Sequence, residues 1–318
     1  MCEITVVIPN YNGKKYLIPC IQCLYDNTSV EIQIIVVDNA STDGSIEKSR
    51  EMFPEVNYII LDQNYGFCRA VNVGIQKSTT PYVILLNNDT EVKKGFVESL
   101  LKAVKRSDIV FSVEAKMIQY QNQSLIDSAG TFYNALGWAY ARGKDANVKK
   151  YQRQSRVFAA CAGAAIYRRS VFDKIGLFDE THFAYLEDVD VGYRARIKGY
   201  MNMFEPEAEV IHVGSATSGS RYNEFKTRYS ARNNVLLIYK NMPWIQILLN
   251  APFLLFGFLV KAVFFFKKGF GKTYLCGLKE GIHVCKKVQK VPFEIKNLDN
   301  YCKIQLELWE NIVRKFIG

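Results

Sequence analysis

Residues able to do chemistry stand in two acidic groups and one isolated histidine. Asn87-Asn88-Asp89-Thr90 closes the apolar run that starts at Tyr82, and Glu187-Asp188-Val189-Asp190 opens a helical stretch. His212 ends a third, shorter apolar run, Ala208 to His212. A carboxylate such as Asp89, at the carboxyl end of a buried strand, can hold a hard divalent cation against a diphosphate. Asn88-Asp89-Thr90 equally has the make-up of a helix N-cap, and both readings stand on the residues alone. Three acids at 187–190 suit the positive end of a helix; the sharper reading makes one of them a general base. Asp190 also has the spacing to pair with Arg194 along that helix. A lone histidine is usually structural, yet a neutral imidazole at a strand end can ligate a metal. Trp138 and Tyr140 offer faces on which a sugar could stack, or are ordinary core and surface aromatics. Arg221, Arg228 and Arg232, with Asn233 and Asn234, could contact phosphate or form a solvated face.

The elements that must position these groups alternate regularly. Apolar runs at 4–9, 31–37, 58–61 and 82–86 read as buried strands, each ending in a polar or glycine-containing loop. Between them, 14–26, 45–52 and 68–76 carry apolar residues at helical spacing. That β-α-β-α-β-α-β order predicts a mainly parallel sheet with helices on both faces, so the loops after Pro9, Asp38, Asn64 and Asn88 converge on one edge. Helices are expected at 94–104 and 168–175, a strand at 108–113, and a strand pair with a loop over the cleft within 116–154. The small, apolar run 158–167 permits close approach of backbone or ligand.

Composition sets the remaining bounds. The 318 residues are 49% hydrophobic, enough for one large domain or a domain with an appendage. Met1-Cys2-Glu3-Ile4-Thr5 has no charged and then apolar leader, so no secretory signal is expected. The eight cysteines follow no disulfide spacing, and Cys20 and Cys23 form a lone CxxC without a second pair, so idle thiols are expected. Neither G-x-G-x-x-G nor a P-loop follows a strand, which disfavours dinucleotide and P-loop folds.

Taken together, Val7-Ile8-Pro9-Asn10-Tyr11-Asn12, the run Val37 to Ser45, Asn64-Tyr65-Gly66-Phe67 and Leu86 to Thr90 resemble the family 2 glycosyltransferases. The similarity spans about residues 4–240 and is greatest to bacterial polysaccharide rhamnosyltransferases. It implies a GT-A, nucleotide-sugar-binding fold. By the same resemblance, Pro9, Asn10 and Tyr11 lie at the nucleotide base, Asp38 binds it, and Asn64, Gly66, Phe67 and Arg69 lie near the diphosphate. Asn87, Asn88 and Asp89 form the metal motif, in which Asn87 replaces the family's first aspartate and implies weaker metal binding. His212 is the implied second metal ligand, for Mg2+ or Mn2+. Asp188 of the Glu187-Asp188 pair is the implied base, and Glu187, Cys161 and Gly163, with Trp138, are candidates to meet sugar or acceptor.

The last part of the chain has a different character. Of the net charge of +10, residues 261–318 carry twelve Lys or Arg against five acids. Trp244 to Phe266 is strongly apolar. On a helix, Gln246, Asn250, Gly257, Lys261 and Lys268 gather within about one sixth of the circumference. A helix lying in a membrane interface is expected, with that stripe toward water and Pro252 splitting it. A transmembrane span and packing onto the catalytic domain are the alternatives. Lys267, Lys268, Lys272, Lys279, Lys286, Lys287 and Lys290 would meet anionic headgroups.

The expectation is therefore a catalytic domain at 1–240 and a helical, basic, membrane-associating region at 241–318. The function expected is an inverting, metal-dependent transferase at the cytoplasmic membrane face, peripheral or monotopic. It would move a sugar from dTDP-rhamnose or a similar donor to a lipid-linked glycan during cell-surface polysaccharide synthesis. Two rivals are a non-catalytic nucleotide-sugar-binding scaffold and a basic nucleic-acid binder. Asp89, Asp188 and His212 together speak against the first. The apolar run beside the lysines favours membrane over nucleic acid.

Overall fold

The computed structural model describes residues 2–214 and 222–317. Arg221, one of the arginines singled out above, lies outside the described residues. The first half alternates as its apolar periodicity requires: β1 (Ile4–Asn10), α1 (Leu17–Asn27), β2 (Ile32–Asp38), α2 (Ser45–Met52), β3 (Asn57–Ile60), α3 (Gly66–Lys77) and β4 (Tyr82–Leu86). All five residues of β4 are buried, and β1 is buried except at Pro9, as befits strands covered on both faces. A three-residue strand, β5 (Thr90–Val92), and α4 (Phe96–Lys105) follow. Asn88-Asp89-Thr90 therefore caps no helix, because α4 starts at Phe96 behind Gly95.

Next come β6 (Val110–Gln119), β7 (Ile126–Ser128), β8 (Thr131–Tyr133), β9 (Ala139–Ala141), β10 (Ser155–Val157), β11 (Ala164–Arg168) and α5 (Arg169–Ile175). They lead to α6 (Glu187–Ile197), β12 (Met201–His212) and α7 (Glu224–Asn241). The main sheet has the order β10-β12-β6-β11-β4-β1-β2-β3, with β5 paired to β12 and β7 to β6. Strands β4, β1, β2 and β3 are parallel; β11 enters antiparallel between β4 and β6. Helices α1 and α4 cover one face through residues such as Leu17, Leu24, Phe96 and Leu100, and α3 and α5 cover the other through Val71, Ile75 and Phe172. Burying each such Leu, Ile or Val contributes about 1.5–3 kcal/mol, so the parallel half is rigid and its carboxyl-end loops are fixed in space.

The tail forms α8 (Trp244–Lys267), α9 (Gly271–Cys285) and α10 (Leu298–Ile317). The first of these runs unbroken through Pro252. The first three residues of its polar stripe face the protein, as in the packing alternative, while Lys268 is exposed. Gln246, Asn250 and Gly257 are buried against the rest of the chain. Tyr193 donates to Gln246 at 2.7 Å, the Asn250 and Gln305 amides exchange bonds of 2.9 and 2.8 Å, and Trp138 donates to the Gly257 carbonyl at 3.1 Å. A Cβ on Gly257 would sit 2.0 Å from the Leu136 carbonyl oxygen, so only glycine lets the helix approach this closely. The apolar remainder points outward: Leu248, Leu255 and Leu259 are 72%, 71% and 62% exposed. A helical wheel separates polar from apolar; it cannot say that the polar side already has partners waiting. Leu254, Tyr301, Ile304 and Leu308 of the tail share a core with Phe158 and Tyr193, so α8 and α10 are fastened to the sheet domain. Lys290, expected among the headgroup lysines, instead donates to the Met242 carbonyl at 2.9 Å at the end of α7.

Candidate active site

The floor of the cleft is a hydrogen-bond network between strand ends. In-register pairing of β1 with β2 sets Asn10 beside Asp38. The buried Asn10 amide donates to Asp38 (2.7 Å), Ser41 (3.2 Å) and Ser45 (3.2 Å), and its oxygen accepts from Asn88 at 2.7 Å. Asp38 also accepts from the Ser41 amide at 2.7 Å and hydroxyl at 2.5 Å. One residue thus locks the loops after β1, β2 and β4 together. Asp38 is only 1% exposed and both its oxygens are engaged, so it shapes this loop, whereas Tyr11 stands 37% exposed at the rim.

Asp89 and His212 are far apart in sequence and adjacent in space. Antiparallel pairing of β5 with β12 puts His212 opposite Thr90, and the Val213 amide donates to the Asp89 carbonyl at 3.0 Å. His212 Nε2 then lies 3.4 Å from Asp89 Oδ1, while its Nδ1 is 2.8 Å from Asp127 Oδ2. A carboxylate behind one imidazole nitrogen fixes the tautomer with the other lone pair facing forward, the arrangement found behind metal-ligating histidines. Burial alone would lower the His212 pKa, but the hydrogen bonds and charges of Asp127 and Asp89 outweigh it and lift it to about 9, so a cation binding at Nε2 would have to displace a proton there. Burial likewise pushes Asp127 up, and His212 and Lys144 pull it down to about 2. These donors fit a divalent cation. Among the described residues no three His, Cys, Asp or Glu side chains form a cage. A cation held by Asp89 and His212 would therefore complete its shell with phosphate oxygens and water.

Glu187 and Asp188 begin α6 after a strained loop. Phe183, Tyr185 and Leu186 have φ of 62°, 72° and 67°, each a left-handed conformation costing about 1–3 kcal/mol outside glycine. The Asn233 amide of α7 holds the loop by donating to the carbonyls of His182 (2.9 Å), Ala184 (2.8 Å) and Tyr185 (2.8 Å). Burial raises the carboxyl pKa of Asp188, and burial together with the Asp188 charge raises that of Glu187, whose Oε2 has no hydrogen-bond partner. Asp188 itself accepts one bond, from the Val189 amide at 2.7 Å. The third acid is different: Asp190 is fully buried, and Arg194 and Lys240 overcome burial to hold its carboxyl far below the usual range. It is a structural ion pair.

A fourth carboxyl, which sequence reasoning missed, joins the two sides. Glu114 is wholly buried in β6 and accepts from the Ser128 hydroxyl (2.5 Å), the Gly130 amide (3.1 Å) and the Cys161 amide (2.7 Å). Burial, reinforced by the charge of Asp188 against three opposing hydrogen bonds, brings it to about 7. Ser128 adjoins Asp127, and the turn containing Cys161 and Gly163 lies beside Asn87, whose amide donates to the Gly163 carbonyl at 2.9 Å. An acid inside a mainly apolar strand was the available signal; Glu114 stands with Ser112 and Lys116 as a polar residue in the stretch 110–118.

The remaining expected site residues divide. Asn64 accepts from the Gly66 amide at 2.9 Å, and Gly66, at φ +84°, leads into α3 where a Cβ would strike Phe183 at 2.6 Å. Phe67 packs against the core beneath it. Pro9 is partly buried at the end of β1. Arg69 is half-exposed and paired with Glu180 at 3.2 Å. Trp138 lies against α8, donating to the Gly257 carbonyl. Arg228 and Arg232 pair with Glu280 of α9, and Asn234 bonds Tyr133 and the Gly137 carbonyl. All eight cysteines are free, and burial drives Cys20 to about 12.

Sheet order, helices on both faces and a cleft at the carboxyl strand ends define a GT-A type fold. The family model described as "Glycosyl transferase family 2" matches residues 5–176, more than half the chain. The chain belongs to that family and is a glycosyltransferase. The match spans β1 to α5, including Asp38 and Asp89, and ends before Asp188 and His212. Among curated relatives, the N-acetylglucosaminyl-diphospho-decaprenol L-rhamnosyltransferase of Mycobacterium tuberculosis is 27% identical over 237 residues, covering 67% of this chain and 77% of its own. Glycosyltransferase GlyG of Streptococcus pneumoniae is 30% identical over 190 residues, covering 57% and 60%. Among solved structures, S. aureus TarS 1-349 in complex with UDP-GlcNAc has a TM-score of 0.60 at 16% identity, covering 96% of this chain and 90% of that one. GalNAc-T7 with UDP, GalNAc and Mn2+ also reaches 0.60, at 17% identity, covering 74% of this chain and 47% of the other. These likenesses show the shared fold.

Proposed function

We propose that the protein is an inverting, metal-dependent rhamnosyltransferase-like enzyme acting at the cytoplasmic membrane face. It would take dTDP-rhamnose or a similar nucleotide sugar and a glycan acceptor on a lipid carrier. The base of the nucleotide would lie by Pro9 and Tyr11 over the Asn10–Asp38 network, with the diphosphate toward Asn87, Asn88 and Asp89. Asp89 and His212 would hold Mg2+ or Mn2+, and Asp127 would keep the His212 lone pair aimed at it. Bound there, the cation neutralises charge on the departing diphosphate. Asp188 accepts the acceptor hydroxyl's proton as that oxygen bonds to the anomeric carbon. The bond from the anomeric carbon to the diphosphate breaks on the opposite face, and the configuration inverts. Glu187 and the turn at Cys161 and Gly163 would border the reacting sugars.

The observation that carries this reading is the placement of Asp89 Oδ1 and His212 Nε2 at 3.4 Å, across 123 residues of chain. The acceptor class is taken from the diphospho-decaprenol substrate in the mycobacterial relative's name. The outward apolar face of α8, its mean hydropathy of 2.1, and the exposed Lys267, Lys268, Lys272, Lys279, Lys286 and Lys287 support a bilayer as neighbour. With its polar stripe fixed to the domain, α8 would lie in the interface rather than cross alone. The test is a panel of dTDP-, UDP- and GDP-sugars assayed with and without Mg2+ or Mn2+. Metal-dependent turnover of dTDP-rhamnose above the others is expected, and turnover of another sugar at equal rate in EDTA would overturn both assignments.

A further inference from the structure

Beside His212, on its Asp127 side, lies a cavity of about 550 Å³, most of whose lining the donor reading leaves unused. Its lining includes Cys161 and Asp127 together with Tyr140 of β9, Lys144 and Lys315 of α10. Cys161 borders the candidate base: burial, then the charges of Asp188 and Glu114, push its thiol well up. The lining also carries cations. Lys144 pairs with Asp127. Lys315 stands 4.7 Å over the Tyr140 ring and, among the described residues, has no carboxylate within ion-pair distance. The acids in the lining are already engaged, Asp127 by His212 and Lys144, and Asp145 by the Gln119 amide at 2.7 Å.

The helix that brings Lys315 into this cavity turns apolar side chains outward at the same end. Val313, Phe316 and Ile317 are 55%, 70% and 82% exposed. Tyr140 belongs to the β8–β9 hairpin, whose connecting residues Leu136 and Trp138 touch α8 at Gly257. Running from the site outward, the order is therefore carboxylates, then lysines, then exposed apolar surface. A sugar joined through a diphosphate to a hydrocarbon chain has the same order of chemistries.

Resting on the lipid-linked acceptor proposed above, we infer that this cavity receives the acceptor's diphosphate linker. Lys315 and Lys144 donate to its non-bridging oxygens, the sugar extends toward Cys161 and Asp188, and the hydrocarbon leaves along Val313 and Phe316. Lysine suits the task as a compact charge with three donors.

The test compares two acceptors on the full-length protein in mixed micelles: N-acetylglucosamine linked through diphosphate to a short polyprenyl chain, and its neutral octyl glycoside. The wild type should favour the diphosphate acceptor at least tenfold in kcat/KM. In Lys315→Ala that preference should fall about tenfold, mainly through KM, and Lys315→Arg should restore most of it. A preference unchanged in Lys315→Ala overturns the inference while leaving the lipid-linked reading intact. A wild type indifferent to the diphosphate overturns that reading as well. Free inorganic diphosphate separates the possible sources: competition against the acceptor, weakened in Lys315→Ala, supports the assignment, and competition against the nucleotide sugar alone overturns it.

Discussion

Replacing Glu187 by Gln separates the two carboxyls at the start of α6. Both are raised, but the ionised Asp188 adds to the cost of ionising Glu187, so Asp188 loses its proton first. Near neutral pH the pair is one anion and one neutral acid, and Gln mimics the neutral acid in shape and charge. kcat/KM at pH 7 should thus stay within about threefold of wild type. A general base contributes about 100- to 10,000-fold, so a loss of that size would mean that Glu187 holds the role given to Asp188. Stability gives a second readout with a definite sign. A carboxyl whose folded pKa is raised contributes stability that is complete at low pH and is lost as pH climbs through the folded value. Each pH unit of displacement corresponds to about 1.36 kcal/mol. Glu187 is displaced upward to about 8, so Glu187→Gln should match the wild type in urea denaturation at pH 4.5 and exceed it by on the order of 5 kcal/mol at pH 9. Equal stability at both values would refute the claim that burial strains this carboxyl.

Asp127→Ala removes the 2.8 Å partner of His212 Nδ1. Mn2+ affinity in the presence of a nucleoside diphosphate, read by electron paramagnetic resonance, should weaken about 10- to 100-fold. Asn233→Ala strands the carbonyls of His182, Ala184 and Tyr185; urea denaturation should show a loss of about 2–3 kcal/mol, with kcat falling as the loop before Asp188 relaxes. Leu248→Glu combined with Leu255→Glu and Leu259→Glu alters only outward side chains, so it should leave thermal unfolding unchanged. Each buried leucine is worth about 1.5–3 kcal/mol, enough that the triple variant should stop sedimenting with anionic vesicles.

Long apolar runs with polar ends made the parallel half legible, together with Asp89 and the acids of α6. Their burial on both faces is a property of the segment itself. What brings His212 to Asp89 was not legible, because β5 has three residues and makes sense only as the partner of β12. Strand β6 runs to Gln119, six residues past its expected end at Val113, and the extension carries Glu114 beneath the site. A buried acid reads from sequence as a strand's end until its three donors, all distant in sequence, are known. Trp138 illustrates the converse: an aromatic in a polar segment also makes a contact for α8 that its spacing does not announce, donating to the Gly257 carbonyl. The stripe of α8 was legible but its partner was not: Gln246, Asn250 and Gly257 pack on the domain, since spacing fixes an angle on a helix but not what lies on each side of it.

The account depends most on Asp188 taking the proton at a site that binds nucleotide sugar independently of it. Asp188→Asn keeps the size of the side chain and removes its basicity, and calorimetry with the nucleotide diphosphate can be run beside a transfer assay on the same preparation. The expected result is a fall in kcat of about 100- to 10,000-fold with nucleotide affinity within about threefold of wild type. Transfer persisting within tenfold of the wild-type rate, with binding intact, would contradict it.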